Sequence, residues 1–404
     1  MRSWRAPVAA AIVLCGWTAV PRADPVADSA AVLRDRMGAD PRGAEQRARL
    51  WLAGLERARA PDSAIATATD VLVEAMLENG SWSDDALALA RRAVRVQAAV
   101  HGDTSVAAGS SLVTLGRLHY RRDELAAARA VTEDGLTRCE RSPPPRGRSV
   151  YRGLRYLANI EDEMADFGPA EQCYRRSIAA AETLYGSRGA EFGNALNSFG
   201  SFCRRTGRDT EARELYERGL AIRTAALGPD DPGLIFNLNN LANLLNELGD
   251  PVAARALFER ALAITTRSLG PGHPTVPLLL NNLGDVDLAL GDTARAISSY
   301  RRAIAIADST GVTPRVEVAQ SHNNLAQIEL ARRDTAGART DLAAGLAIRM
   351  RIFGRDHPET ASSLLQWAAL AGVVGDPGGA ASLDSEAVAI LERHLGPDAM
   401  EVAA

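Results

Sequence analysis

A small residue returns at a fixed interval along most of this chain, and that interval decides what the chain can fold into. Taken where a short turn gives way to a helical stretch, it is Ala44, Ala86, Ala127, Ala170, Ala212, Ala254, Ala296, Ala338 and Ala380. The spacings are 42, 41 and 43 residues, then 42 five times. Four residues on stands a bulky side chain in the central units: Tyr174, Tyr216, Phe258, Tyr300 and Leu342. Seven on is usually small, as at Ala93, Ser177, Gly219, Ala261, Ala303, Gly345 and Ala387. Ten on is often β-branched, as at Val96, Ile222, Ile264, Ile306, Ile348 and Ile390. Offsets of 0, 4, 7 and 10 trace one face of a helix. Self-similarity at such a period is the mark of a repeat architecture, in which each unit buries its apolar face only against its neighbours.

A second helix precedes each anchor. Twelve residues back lies a small residue, Ala158, Gly200, Ala242, Gly284, Ala326 or Ala368. The residue before it is large: Leu157, Phe199, Leu241, Leu283, Leu325 or Trp367. Helices approach closely only where side chains are small, and the large neighbour fills the adjoining gap. Gly249-Asp250 and Gly291-Asp292 end the first helix and cap the second. Connectors run from Gly228 to Pro232, Gly270 to Pro274 and Gly354 to Pro358, with proline opening the next helix. Each unit is thus a helical hairpin.

The small/large pairing resembles tetratricopeptide repeats. The period of 42, the "LNNLA" first helix, the "RALAI" second helix and the "LGPGHPTV" connector look like the kinesin light chain subtype, over about residues 62–397. The resemblance implies an all-α, right-handed superhelical solenoid of antiparallel helix pairs. Residues 24–60 fit less well; "AEQRARLWLAGLERA" reads as a second helix with a short partner, forming capping or degenerate repeat helices ahead of about eight repeats in 61–397. Residues 398–404 read as the uncapped start of a further helix.

The resemblance also implies a use for an unusual excess of asparagine. "LIFNLNNLANLLNELGD", residues 234–250, holds five, although Asn competes with helical hydrogen bonding through its side chain. In such repeats the first helices line the concave face. Arg155, Asn197, Asn239, Asn281 and Asn323 form one column pointing into it, and Asn159, Ser201, Asn243, Asp285 and Gln327 lie four residues further along the same stripe. An amide offers a donor and an acceptor, matching the backbone of an extended peptide. Arg155, Asn159, Asn197, Asn239, Asn243, Asn281 and Asn323 are therefore the expected peptide-binding set. The adjacent Asn240, Asn282 and Asn324 are expected to be solvated or to bond the neighbouring helix. Arg152, Arg155, Arg204 and Arg205 make one part of the groove basic, and Leu278, Leu288, Leu330 and Leu365 make another apolar.

Residues 1–23 read as a signal peptide: Arg2 and Arg5 precede the short apolar run "APVAAAIVLCGWTAV", and Ala23 is a small residue before the cut. The chain is expected to be exported, periplasmic or secreted, rather than lipid-anchored at Cys15, because Leu14 stands where a small residue is wanted. No integral membrane segment is expected after removal of the leader. The mature chain keeps Cys139, Cys173 and Cys203, so at least one thiol stays unpaired; Cys173 and Cys203 fall on neighbouring helices, which allows a bridge, while buried free thiols suit the packing of cysteine.

Signs of catalysis are missing. No lysine occurs, so the carboxylate clamp of chaperone-binding repeats is not reproduced. The six histidines form no metal-binding spacing, and there is no phosphate loop or Gly-x-Ser-x-Gly elbow. No cofactor and no metal are expected. A net charge of −4 argues against a nucleic-acid partner. The expectation is a non-catalytic scaffold for a protein or peptide ligand. The alternatives are an assembly subunit self-associating through its C-terminal end, or an accessory fragment of a larger signalling enzyme.

Overall fold

The computed structural model describes residues 25–37, 40–142, 147–310 and 316–395. The leader at 1–23 and the helix start at 398–404 lie outside the described residues. Among the described residues there are eighteen α-helices, one 3-10 turn at Pro232–Leu234, and no strand. Two compact units divide at Arg208 and Asp209.

The first unit holds α1 (Pro25–Met37), α2 (Pro41–Arg57), α3 (Asp62–Glu78), α4 (Asp84–His101), α5 (Val106–Arg121), α6 (Leu125–Arg141), α7 (Gly147–Glu163), α8 (Phe167–Tyr185) and α9 (Ala190–Arg205). Its first eight helices pair as four hairpins, each packed on the next. The second unit starts with α10 (Asp209–Leu227). Four hairpins follow: α11 (Ile235–Glu247) with α12 (Pro251–Ser268), α13 (Thr275–Ala289) with α14 (Thr293–Thr310), α15 (Val316–Ala331) with α16 (Thr335–Phe353), and α17 (Pro358–Val373) with α18 (Pro377–Leu395).

All the anchors but Ala380, which is half-buried, lie at buried positions once the register of one is corrected. Ala44, Ala86, Ala170, Ala212, Ala254, Ala296 and Ala338 are all fully buried. Ala127 is exposed, while its neighbour Ala128 is fully buried. With Ala128 as the anchor, every spacing from Ala44 to Ala380 becomes 42. The packing shows why: Gly116, twelve residues before Ala128, lies against Thr132, four residues after it. Gly284 holds the same place against the ring of Tyr300, which is itself fully buried.

The turns inside the hairpins share one backbone state. Gly207, Gly249, Gly291 and Gly375 take φ of 73°, 82°, 79° and 79°, and the same register carries Asp123, Ala165 and Arg333 at 62°, 59° and 61°. Side-chain caps start several helices: Ser83, Ser105, Asp250 and Asp334 accept from the backbone N–H of Ala86, Ala108, Ala253 and Gly337. Each satisfies one of the donors a helix start leaves unpaired.

Candidate ligand-binding site on the first helices

Several asparagines of the second unit bond polar side chains of their own and neighbouring repeats. Asn282 Nδ2 donates to Asn239 Oδ1 of the preceding repeat at 2.9 Å. Ser321 Oγ donates to Asn281 Oδ1 at 3.0 Å, again one repeat away. Asp285 accepts from Tyr300 Oη at 2.6 Å within its hairpin, and from Asn324 Nδ2 of the next repeat at 2.7 Å. Burial pushes the Asp285 carboxyl up, and the Tyr300 hydrogen bond opposes that rise. Gln320 donates to Asn324 Oδ1 at 3.0 Å and accepts from Arg349 Nη2 at 2.8 Å. Arg349 is 1% exposed and also donates to Ser363 Oγ at 2.7 Å. The ladder thus crosses from repeat to repeat through polar side chains.

This placement corrects part of the expected peptide-binding column. Asn323 is fully buried behind Gly345, where a Cβ would overlap its Oδ1, so it faces the second helix of its own hairpin. Asn281 is 5% exposed and engaged by Ser321 and Asp285. Asn323's offset from the small position puts it over Gly345, the small residue seven past the anchor. Asn239 and Asn243 are half-buried. Asn282 and Asn324 bond the neighbouring helix, as read from the sequence.

In the first unit two residues of the expected set, Asn159 and Asn197, lie on one cavity. It measures about 310 Å³ and is lined by Tyr120 of α5, by Asn159, Asp162 and Glu163 of α7, by Tyr174 of α8, and by Asn197, Ser198, Ser201 and Arg205 of α9. Tyr174 Oη donates to Asn159 Oδ1 at 2.8 Å and lies 3.2 Å from Asp162 Oδ2. Tyr120 Oη reaches Glu163 Oε1 at 3.5 Å. Arg205 pairs with Asp162, and its other terminal nitrogen is 3.9 Å from Glu163. Ser198 and Ser201 donate to the backbone carbonyls of Asn194 and Asn197. Asn197 is 8% exposed, and its Oδ1 has no partner among the described residues. Burial raises both tyrosines, Tyr120 with help from Glu163 and Tyr174 well above its ordinary range, so each hydroxyl stays a donor.

Arg155 does not line this cavity. It stacks on Tyr151 and Tyr156, with its guanidinium 5.8 Å and 5.0 Å from the ring centroids, and donates to Tyr156 Oη at 3.1 Å. Arg152 pairs with Glu74 of α3 at 3.0 Å, and Arg34 of α1 pairs with the same carboxylate at 2.6 Å. Of the arginines expected to make the groove basic, Arg152 and Arg205 are thus paired with carboxylates. Sequence reasoning missed Tyr120, Asp162, Glu163 and Ser198, and read Tyr174 only as a packing residue. A readable signal was present: α7 ends in "IEDE" with no basic residue in its last turn, against the usual preference of a helix C-terminus.

Among the described residues Cys139, Cys173 and Cys203 are buried and none forms a disulfide. Among the described residues no cluster of His, Cys, Asp and Glu has the makings of a metal site. No helix of the described residues is long and apolar enough to cross a membrane.

A tetratricopeptide-repeat family model matches residues 191–264 and 235–309, and a second such model matches 318–359. No curated protein matches the sequence. Among solved structures, the apo quorum sensor NprR from B. thuringiensis is similar over 91% of this chain and 98% of its own, with TM-score 0.62 and 10% identity. A Rap protein complexed with Competence and Sporulation Factor is similar over 91% and 98%, with TM-score 0.58 and 11% identity. A Podosopora anserina protein of kinesin light chain type, with nearly identical repeats, covers 50% of this chain and 95% of its own at TM-score 0.42 and 22% identity.

Proposed function

The chain is a tetratricopeptide repeat protein, and we propose that it is a non-catalytic scaffold holding an extended peptide or protein segment against the first helices of its repeats. The cavity at Asn159 and Asn197 carries the proposal, because Asn197 Oδ1 is buried at its wall without a donor. A buried acceptor left unpaired costs about 1 to 3 kcal/mol, so a ligand N–H that reaches it recovers more than an ordinary hydrogen bond. The matching family models describe repeats and no catalytic domain. The similar Rap structure holds a bound factor, which accords with this use of the fold without naming a ligand here.

Export is part of the same reading. It rests on Arg2, Arg5 and the short apolar run of the leader. Mass spectrometry of the native protein should find a start near Asp24, and a soluble form retaining Met1 would refute export.

A phage-displayed random peptide library, panned on the mature chain, tests the scaffold. Selected peptides should bind Asn197→Ala and Asn159→Ala at least about tenfold more weakly than wild type, since each change removes a groove amide. The variants should melt as wild type does. Failure to enrich any sequence, or peptides indifferent to both substitutions, would overturn the reading.

A further inference from the structure

The hydroxyl donors of the first unit's cavity are committed, and what they leave open identifies what it takes. Its serine hydroxyls donate to their own helix, Tyr174 donates to Asn159 beside Asp162, and Tyr120 reaches Glu163. What remains open is the Asn197 carbonyl oxygen, which has no donor, and the half-exposed Glu163 carboxylate, whose contacts with Tyr120 at 3.5 Å and Arg205 at 3.9 Å are both long. Arg205, the cation of the lining, is already paired with Asp162.

Helix ends add to this. Tyr120, Asp162, Glu163 and Arg205 all lie in the last turns of α5, α7 and α9. A helix C-terminus carries about half a negative charge and favours cations there. The ends of α5 and α9 carry arginines. The end of α7 carries Asp162 and Glu163 and no basic residue, so its own dipole opposes its side chains.

We infer that this cavity receives the cationic side chain, arginine or lysine, of a bound peptide. The inference rests on the peptide-binding reading and specifies its chemistry. The guanidinium or ammonium group donates to Glu163 and Asn197, lies beside the ring of Tyr120 and faces the end of α7. Arginine suits the place best, because its planar fork presents several donors at fixed angles and stacks on aromatic rings. A cavity of about 310 Å³ is at the lower end of the range of about 300 to 1,000 Å³ for small-molecule sites, which fits one long side chain rather than a folded motif.

Two probes separate this inference from the reading beneath it. The first is a set of random decapeptide pools, each with one central position fixed as Arg, Lys, Leu or Glu, titrated against the full mature chain. The Arg and Lys pools should bind about tenfold more tightly than the Leu and Glu pools, and Glu163→Gln should remove the difference while leaving the melting temperature unchanged. Equal binding of all pools, or preference for Glu, would overturn the cation site and leave the peptide groove standing. The second probe is N-acetyl-arginine amide, followed by saturation-transfer NMR against N-acetyl-glutamate amide. An arginine signal that disappears in Glu163→Gln supports the cation site even if no peptide pool binds, an outcome that sinks only the peptide groove. No arginine signal, with no pool bound, overturns both.

Discussion

Asn323 is a polar side chain in a place shaped for an apolar one. It is fully buried, and neither amide atom has a partner among the described residues. Leaving a buried polar group unpaired costs about 1 to 3 kcal/mol, so Asn323→Leu, close to it in volume, should stabilise the chain by about that amount in denaturant unfolding. A destabilised variant would mean the amide is satisfied by something other than protein. The column of asparagines at 42-residue spacing was fully legible in the sequence. Its division into inter-repeat bonds at Asn239 and Asn281 and an unpaired amide at Asn323 was not, because a side chain halfway between groove and neighbour is decided by what the next repeat offers. Glu329 makes a second test at this scale. Burial, then the Asp341 and Asp334 carboxylates, raises it to about 7 against the opposing Arg301, while His322 faces Asp341 at 2.6 Å. Its folded value lies above its ordinary 4.5, so the folded state holds a proton that the unfolded chain releases. That contribution is fully present at low pH and is lost as pH rises through about 7. The wild-type melting temperature should fall between about pH 5 and pH 8, and Glu329→Gln should flatten that fall. Identical profiles would show that this carboxyl does not couple to folding.

At the scale of the helical hairpin, two positions matter more than their neighbours. Gly284 packs under the Tyr300 ring, and a Cβ placed there would lie 2.6 Å from Cζ. Gly284→Leu must therefore separate α13 from α14, at the cost of overpacking, about 1 to 3 kcal/mol. A melting temperature equal to wild type would contradict the close approach. The turn residue before each second helix is the other. Arg333 sits at φ 61° where Gly249, Gly291 and Gly375 occupy the same register. The left-handed state costs a side chain about 1 to 2 kcal/mol. Glycine's extra unfolded freedom removes about half of that, so Arg333→Gly should still stabilise by up to about 1 kcal/mol. The sequence revealed these turns where glycine marked them and hid them at Asp123, Ala165 and Arg333, since residue type does not announce a positive φ there. The anchor shifted by one residue has a related cause: Ala127 and Ala128 are adjacent and alike, and only Gly116 and Thr132 distinguish them.

At the scale of the whole chain, a repeat array has no single core. Apolar clusters form locally, as around Ala296, Tyr300, Leu325 and Ile328, or around Ala338, Leu342 and Leu370. Stability is then close to a sum of units and nearest-neighbour interfaces, and damage stays near its source. The cysteines make this measurable, because Cys139, Cys173 and Cys203 all lie in the first unit and all are buried. Burial pushes the thiols of Cys139 and Cys173 up to about 11, so the reactive thiolate is scarce in the folded state. Ellman's reagent should label none of them quickly in the native protein and all three once the first unit opens. Gly284 is nearly two 42-residue periods beyond Cys203, the nearest of them, and more than three beyond Cys139. Gly284→Leu should therefore lower and broaden the helical melt followed by circular dichroism, while the denaturant midpoint for thiol labelling moves little. If labelling and helix loss shift together by the same amount, the chain unfolds as one cooperative body, and the additive description of its repeats is wrong.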